Sequence, residues 1–112
     1  MISKELLSAV TGMECSEGRE LYGKWSNKIE FSISKHNHFN YAVKDTINIY
    51  ELAYKCKKWA LKNNVKLWSI LDSYNSAIVR INEISKREFY SHTEPDAIFK
   101  ACEWILENKD KK

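Results

Sequence analysis

Residues 48–62 read NIYELAYKCKKWALK, and this stretch decides the fold. Asn48 is a favourable helix N-cap, and Glu51 three residues later completes an arrangement similar to a capping box. Asn63 and Asn64 follow the stretch and are suited to end a helix. Its apolar residues recur at helical spacing: Ile49, Leu52, Ala53, Cys56, Trp59 and Ala60. The pattern predicts an amphipathic helix with one buried face.

Two further helices are predicted near the ends of the chain. Ser3 can cap a short helix over residues 4–10, and Gly12 lies just beyond its end. Thr93 can cap a later helix, with Pro95 in the first turn, where its missing donor would be unpaired anyway. The later helix has a predicted buried stripe of Ile98, Ala101, Cys102 and Ile105.

Apolar residues alternate with polar ones in the segments between these helices, which is typical of half-buried strands. The clear runs lie near residues 28–34, 39–44, 65–71 and 76–84, with weaker signals at Leu21 and Trp25 and at Phe89 and Tyr90. We therefore predict an α+β fold in the order α-β-β-β-α-β-β-α, with three helices on a mainly antiparallel sheet of four to five strands. The length predicts a single domain over residues 1–112, with a short disordered basic tail from about residue 108.

Composition favours no class of partner strongly. The chain has 18 basic and 15 acidic residues and a formal net charge of +3. No apolar run approaches the roughly 18 residues that a membrane span needs, and no secretory signal fits the first residues. We expect a cytoplasmic protein without a membrane partner. Its three cysteines form no CxxC pair, and Cys56 and Cys102 fall on apolar helix faces, which predicts reduced core residues.

Catalytic patterns have little support in the sequence. His36 and His38 would point to opposite sides of an extended segment, which suits chelation poorly, and His92 is interpreted as a loop residue. Glu103 and Glu107 are expected on a solvated helix face, and the glycines form no phosphate-binding loop. We predict no catalytic residue, no metal site and no cofactor, so an enzyme is the least favoured hypothesis.

Lysines form a stripe on the second predicted helix. Lys55, Lys58 and Lys62 are about one turn apart and lie away from the apolar face. Such a stripe can neutralise phosphates of a nucleic acid. A solvated helix face has the same pattern, so both interpretations stay open.

The strand pair over residues 65–83 is apolar on both faces. Trp68 and Ile70 point away from the face that carries Leu67 and Leu71, and Ile78 can join them across the hairpin. This second face is covered either by a helix of the chain or by another protein. Trp68, Ile70 and Ile78 are therefore the candidate interface residues.

Two segments resemble a recurring pattern in small proteins of bacterial and prophage genomes. They read INIYELAYKCKKWA over residues 47–60 and TEPDAIFKACEWIL over residues 93–106, and the opening MISK is similar as well. The resemblance does not extend over residues 13–46. It implies a phage or mobile-element setting, and it brings no assigned activity and no catalytic residues.

These observations lead to two main functional hypotheses. The first is a small, non-catalytic protein-interaction module that binds an unknown protein partner or a second copy of itself. The alternative is a nucleic-acid-associated protein that uses the lysine stripe.

Overall fold

The structure is a computed structural model that describes residues 2–16, 18–20, 28–34, 42–73, 75–81 and 87–108. These residues form three helices and six strands, so the α+β class is confirmed. In chain order they are α1 (Lys4–Thr11), β1 (Arg19–Glu20), β2 (Lys28–Ser34), β3 (Ala42–Asn48), α2 (Ile49–Lys62), β4 (Leu67–Ser73), β5 (Ser76–Ile81), β6 (Arg87–Ser91) and α3 (Glu94–Asn108).

The predicted helix caps are present. The Asn48 side chain accepts hydrogen bonds from the backbone N–H groups of Tyr50 at 2.8 Å and Glu51 at 3.3 Å, and α2 begins at the next residue. Ser3 accepts in the same way from Leu6 at 3.1 Å. Gly12 ends α1 with φ of 73°, a left-handed conformation that glycine adopts without steric cost. Side chains of these types satisfy backbone groups that a helix end leaves unpaired, which is why the sequence marks the boundaries.

The strands of the described residues form two antiparallel sheets rather than one. The first has the order β1-β2-β3 and the second has the order β4-β5-β6. This corrects the expected single sheet of four to five strands, because the sequence shows which neighbouring segments form hairpins but not which hairpins join edge to edge. The weak signal at Phe89 and Tyr90 is a full strand, β6. The signals at residues 21, 25, 39–41 and 82–84 lie outside the described residues.

Helix α3 packs against both α2 and the second sheet. It contacts α2 on one side and all three strands of the second sheet on another. Leu52 and Cys56 of α2 and Val79 of β5 have no exposed surface. The buried residues of α3 are Pro95, Ala97, Ile98, Phe99, Ala101, Cys102 and Ile105. A helix that is buried by two layers needs apolar residues on a wide face, and α3 has them.

A polar contact joins the beginning of the chain to α3. The Glu103 carboxylate accepts hydrogen bonds from the Ser3 hydroxyl at 2.7 Å and from the Ser3 backbone N–H at 3.2 Å. Glu103 was expected on a solvated face, and this is wrong because α1 packs beside α3 there. The partner lies 100 residues away in sequence, beyond the reach of any local pattern.

None of the helices formed by the described residues is long and apolar enough to cross a membrane.

We expect Leu52→Ala to lower the free energy of unfolding by about 2–5 kcal/mol, because it removes a fully buried side chain and leaves a cavity. Leu61→Ala is the matched control on the same helix, because Leu61 is 58% exposed. It should change stability by no more than about 0.5 kcal/mol. Urea denaturation measures both values, and equal losses would show that the buried face of α2 is misassigned.

Candidate functional site

The strand register aligns two rows of side chains on the face of the second sheet that is opposite α3. One row is Trp68, Arg80 and Glu88, and the next is Ile70, Ile78 and Tyr90. We call these six residues the outer face. The neighbouring register positions include Val79, which is fully buried and belongs to the face beneath α3. The predicted trio of Trp68, Ile70 and Ile78 therefore lies together on one surface.

Most of the apolar side chains of the outer face are exposed. Trp68 is 44% exposed, and Ile70 and Tyr90 are both 56% exposed, while Ile78 is half-buried. The sequence also allowed a helix of the chain to cover these side chains. Their exposure excludes that interpretation. Leu71 also differs from expectation, because it lies on the opposite face yet is 66% exposed. The strand register shifts between Leu71 and Ser73, at the end of the sheet.

Charged groups on the outer face pair with one another. The Arg80 guanidinium lies 2.7 Å from the Glu88 carboxylate, and the Tyr90 hydroxyl donates to the same carboxylate. These two hydrogen bonds, that of Tyr90 first, hold the pKa of Glu88 below its ordinary value. The Lys66 ammonium lies 4.2 Å from the centre of the Trp68 ring, a cation–π distance. The apolar side chains thus stand beside a charge pair that is internally balanced.

A groove lies between the end of α1 and the exposed side of α2, and it brings the predicted lysine stripe together. Its volume is about 430 Å³. The described residues that line it are Ala9, Val10, Thr11 and Gly12 from α1 and Lys55, Lys58, Trp59 and Lys62 from α2. Lys57 has a different role, because its ammonium donates to the Ser69 hydroxyl at 2.8 Å and links α2 to β4. The stripe is therefore one wall of a concave site.

Trp59 is the groove residue that the sequence interpretation missed. Its place in the apolar stripe predicted a core residue, and it is half-buried and packs against the core. The same side chain also lines the groove. The available signal was its position, directly after Lys58 and four residues after Lys55, at the boundary between the apolar and basic faces of the helix.

A second pocket, of about 450 Å³, lies where β6 meets α3. His92 lines it, and its Nδ1 lies 3.2 Å from the Asn75 carbonyl oxygen. Ser91 donates to the Asp96 carboxylate, and the Lys100 ammonium donates to the Tyr90 carbonyl at 3.1 Å. These contacts join the strand to the helix and leave the Ser91 hydroxyl bound to a carboxylate rather than to the imidazole. His92 is thus exposed beside a turn, as expected of a loop residue.

Metal ligands do not converge in the described part of the chain, where no group of three or more His, Cys, Asp or Glu side chains could hold an ion. His36 and His38 lie outside it.

The cysteines Cys56 and Cys102 are core residues, as predicted. Both are fully buried, and the Cys102 thiol lies 3.6 Å from the Cys56 carbonyl oxygen. The hydrogen bond with the Cys102 side chain and then burial raise the pKa of the Cys56 thiol far above its ordinary value. A thiol held protonated in this way is a poor nucleophile and a poor metal ligand.

Comparisons of the chain with family models, with curated proteins and with solved structures find no match.

We expect Cys56 and Cys102 to resist a disulfide reagent such as Ellman's reagent in the native protein at pH 8, because both side chains are fully buried and, at Cys56, the reactive thiolate is also disfavoured. In guanidinium chloride all three thiols of the chain should react within minutes. The release of thionitrobenzoate counts them. Rapid reaction of more than one thiol per chain without denaturant would contradict the packing of these two cysteines.

Proposed function

We propose that this chain is a small protein-interaction module and that the outer face of the second sheet is its binding surface. The observation that supports this is the joint exposure of Trp68, Ile70 and Tyr90 on one face of the same sheet. Single exposed apolar residues are common on proteins, but a contiguous group on adjacent strands is a feature of binding sites. Trp and Tyr are also the residues that contribute most to binding energy at protein interfaces.

The partner that fits this surface best is a second copy of the same chain. In a two-fold symmetric dimer the same patch of both copies forms the interface. The charges of the patch must therefore attract, rather than repel, the same set of charges on the second copy. Arg80 and Glu88 stand on adjacent strands with opposite signs. A two-fold axis through the patch can bring Arg80 of one copy near Glu88 of the other, whereas a patch of one sign would repel itself.

The size of the outer face indicates a weak dimer. Three strands about 4.8 Å apart and two rows about 7 Å apart along the strands place the six residues within roughly 10 by 7 Å between backbone axes. This is smaller than the roughly 800 Å² per partner of a standard stable interface. We therefore expect association in the micromolar range rather than an obligate dimer.

The resemblance of residues 47–60 and 93–106 to proteins of prophage genomes supports a phage or mobile-element setting for such a module. That setting is a proposal as well.

Trp68→Glu should abolish self-association, because it replaces a large apolar side chain of the outer face with a charge that the interface would bury. Sedimentation velocity of the wild type from about 5 to 500 µM should show a rising weight-average coefficient. The variant should stay monomeric over the same range. Circular dichroism establishes that it is folded, which its 44% exposure leads us to expect.

Leu61→Glu is the matched control, since Leu61 is 58% exposed on α2 and lies outside the outer face. It should associate like the wild type. A wild type that stays monomeric at 500 µM would contradict self-association. Unfolding of Trp68→Glu would instead identify Trp68 as a core residue.

A second candidate function is association with nucleic acid. The observation that favours it is the convergence of Lys55, Lys58 and Lys62 on one groove rather than on a scattered convex surface. Phosphate contacts by lysines release counterions, so they produce binding that weakens steeply with salt.

Changing the three groove lysines to Gln should reduce the slope of log affinity against log salt by about 2 for single-stranded DNA, which corresponds to three lost phosphate contacts. Fluorescence anisotropy with a labelled oligonucleotide between 20 and 200 mM NaCl measures this slope. The matched control changes Lys4, Lys28 and Lys100 to Gln, because it removes the same charge elsewhere on the surface. Equal slopes for the two triple variants would show that the groove has no special part in binding.

A further inference from the structure

We propose that the groove between α1 and α2 binds a nucleoside phosphate, with the phosphates on the lysines and the base against Trp59. The ligand is either a free nucleotide or the phosphorylated end of a nucleic-acid strand, because both present the same chemistry. This site is separate from the outer face of the second sheet. It deepens the second candidate function and shares the lysine stripe with it.

The charge of the groove favours a ligand with several negative charges. Lys55, Lys58 and Lys62 all line it, and none of the described residues in its lining is acidic. The three side chains are exposed, so each ammonium can turn toward a ligand. Ammonium groups held on one wall repel one another, and a polyphosphate relieves that repulsion better than a single carboxylate does.

Other lysines near α2 have contacts outside the groove. Lys57 donates to Ser69, and Lys66 lies over the Trp68 ring. Lys55, Lys58 and Lys62 are thus the lysines of this region that line the concave site.

Trp59 adds a recognition element that a simple electrostatic surface lacks. Its side chain packs against the core and also lines the groove, so the ring is held in place by the fold. A base that stacks on an aromatic ring in a basic groove is a recurring arrangement in nucleic-acid recognition. Lys58 stands beside it, with its ammonium 5.3 Å from the centre of the Tyr54 ring.

The opposite wall leaves room for such a ligand. Ala9 and Gly12 are small, and the volume of about 430 Å³ lies within the usual range for small-molecule sites. This wall is the C-terminal end of α1, whose partial negative charge opposes an anion. Part of that charge is compensated, because the Leu7 carbonyl accepts from the Thr11 hydroxyl at 2.8 Å and the Ser8 carbonyl from the Gly12 N–H at 3.0 Å. Three full positive charges outweigh the remainder.

The test is isothermal titration calorimetry of the full chain at 50 mM NaCl with ATP, adenosine and tripolyphosphate. ATP should bind saturably. Adenosine and tripolyphosphate should each bind at least fivefold more weakly, because adenosine lacks the phosphates and tripolyphosphate lacks the base. Two further arms use a ten-nucleotide strand with a 5′-phosphate or a 5′-hydroxyl. Tighter binding of ATP identifies a free nucleotide, and tighter binding of the phosphorylated strand identifies a strand end.

Variants assign the binding to the groove. Changing Lys58 and Lys62 to Gln should lower the affinity for ATP, or for the phosphorylated strand if that binds better, at least tenfold. The matched change of Lys4 and Lys28 to Gln should alter the same affinity less than twofold. Trp59→Leu should lower the affinity for the same ligand at least fivefold and leave the affinity for tripolyphosphate unchanged. If Trp59→Leu does not fold, Trp59→Phe replaces it and should retain most of the affinity while losing ligand-dependent quenching of tryptophan fluorescence.

Three results would overturn the inference. One is the absence of saturable binding by ATP and by the phosphorylated strand. Another is equal affinity for ATP and tripolyphosphate, together with equal affinity for the two strands, which would reduce the groove to a general anion site. The third is equal loss of affinity in the groove variant and its matched control. Salt-dependent binding of both strands without preference for the phosphorylated end would leave the second candidate function standing while the nucleoside phosphate site fails.

Discussion

Helix α3 buries side chains against α2 and against the second sheet at the same time. Ala97, Ala101 and Cys102 are fully buried within this arrangement, and Val79 of β5 and Cys56 of α2 are fully buried as well. Small side chains allow neighbouring elements to approach closely, and the dense packing that results contributes dispersion energy together with the removal of apolar surface from water. The positions of α2 and of the second sheet both depend on this shared contact with one helix.

One consequence is that each of the two outer layers keeps a free side. The second sheet packs one face on α3, so Trp68, Ile70 and Tyr90 stand on the other. Helix α2 packs Leu52 and Cys56 inward, so its lysines stand toward solvent and toward the end of α1. The two free sides differ in chemistry, since one is apolar with a balanced charge pair and the other is basic around a tryptophan. A chain of this size can thus present two separate surfaces for partners of different kinds.

Polar contacts at the rim of the core connect elements that are distant in sequence. Ser3 binds Glu103, and Ser69 receives a hydrogen bond from Lys57 and donates to Glu94. These groups are partly buried and find partners within the protein, so they avoid the cost of an unsatisfied polar group. Such contacts add orientation rather than much energy, because water competes for each of them. They favour one mutual arrangement of α1, α2, β4 and α3 over slightly shifted alternatives.

Local chemistry in the sequence was sufficient to predict the three helices and where each begins. Ser3, Asn48 and Thr93 cap helices because their side chains reach backbone groups two or three residues away, and this distance is set by the chain itself. Alternation of apolar and polar residues likewise indicated the strands over residues 28–34 and 76–81. The trio on the outer face and the lysine stripe were predictable for the same reason, because the period of a strand or helix determines which residues share a face. Tertiary structure alone decided that the strands form two sheets, that Glu103 meets Ser3, and that the end of α1 lies opposite Lys58 and Trp59 to form a groove. Those outcomes depend on contacts between segments far apart in sequence, and the energy of each such contact is spread over many side chains rather than encoded at one position.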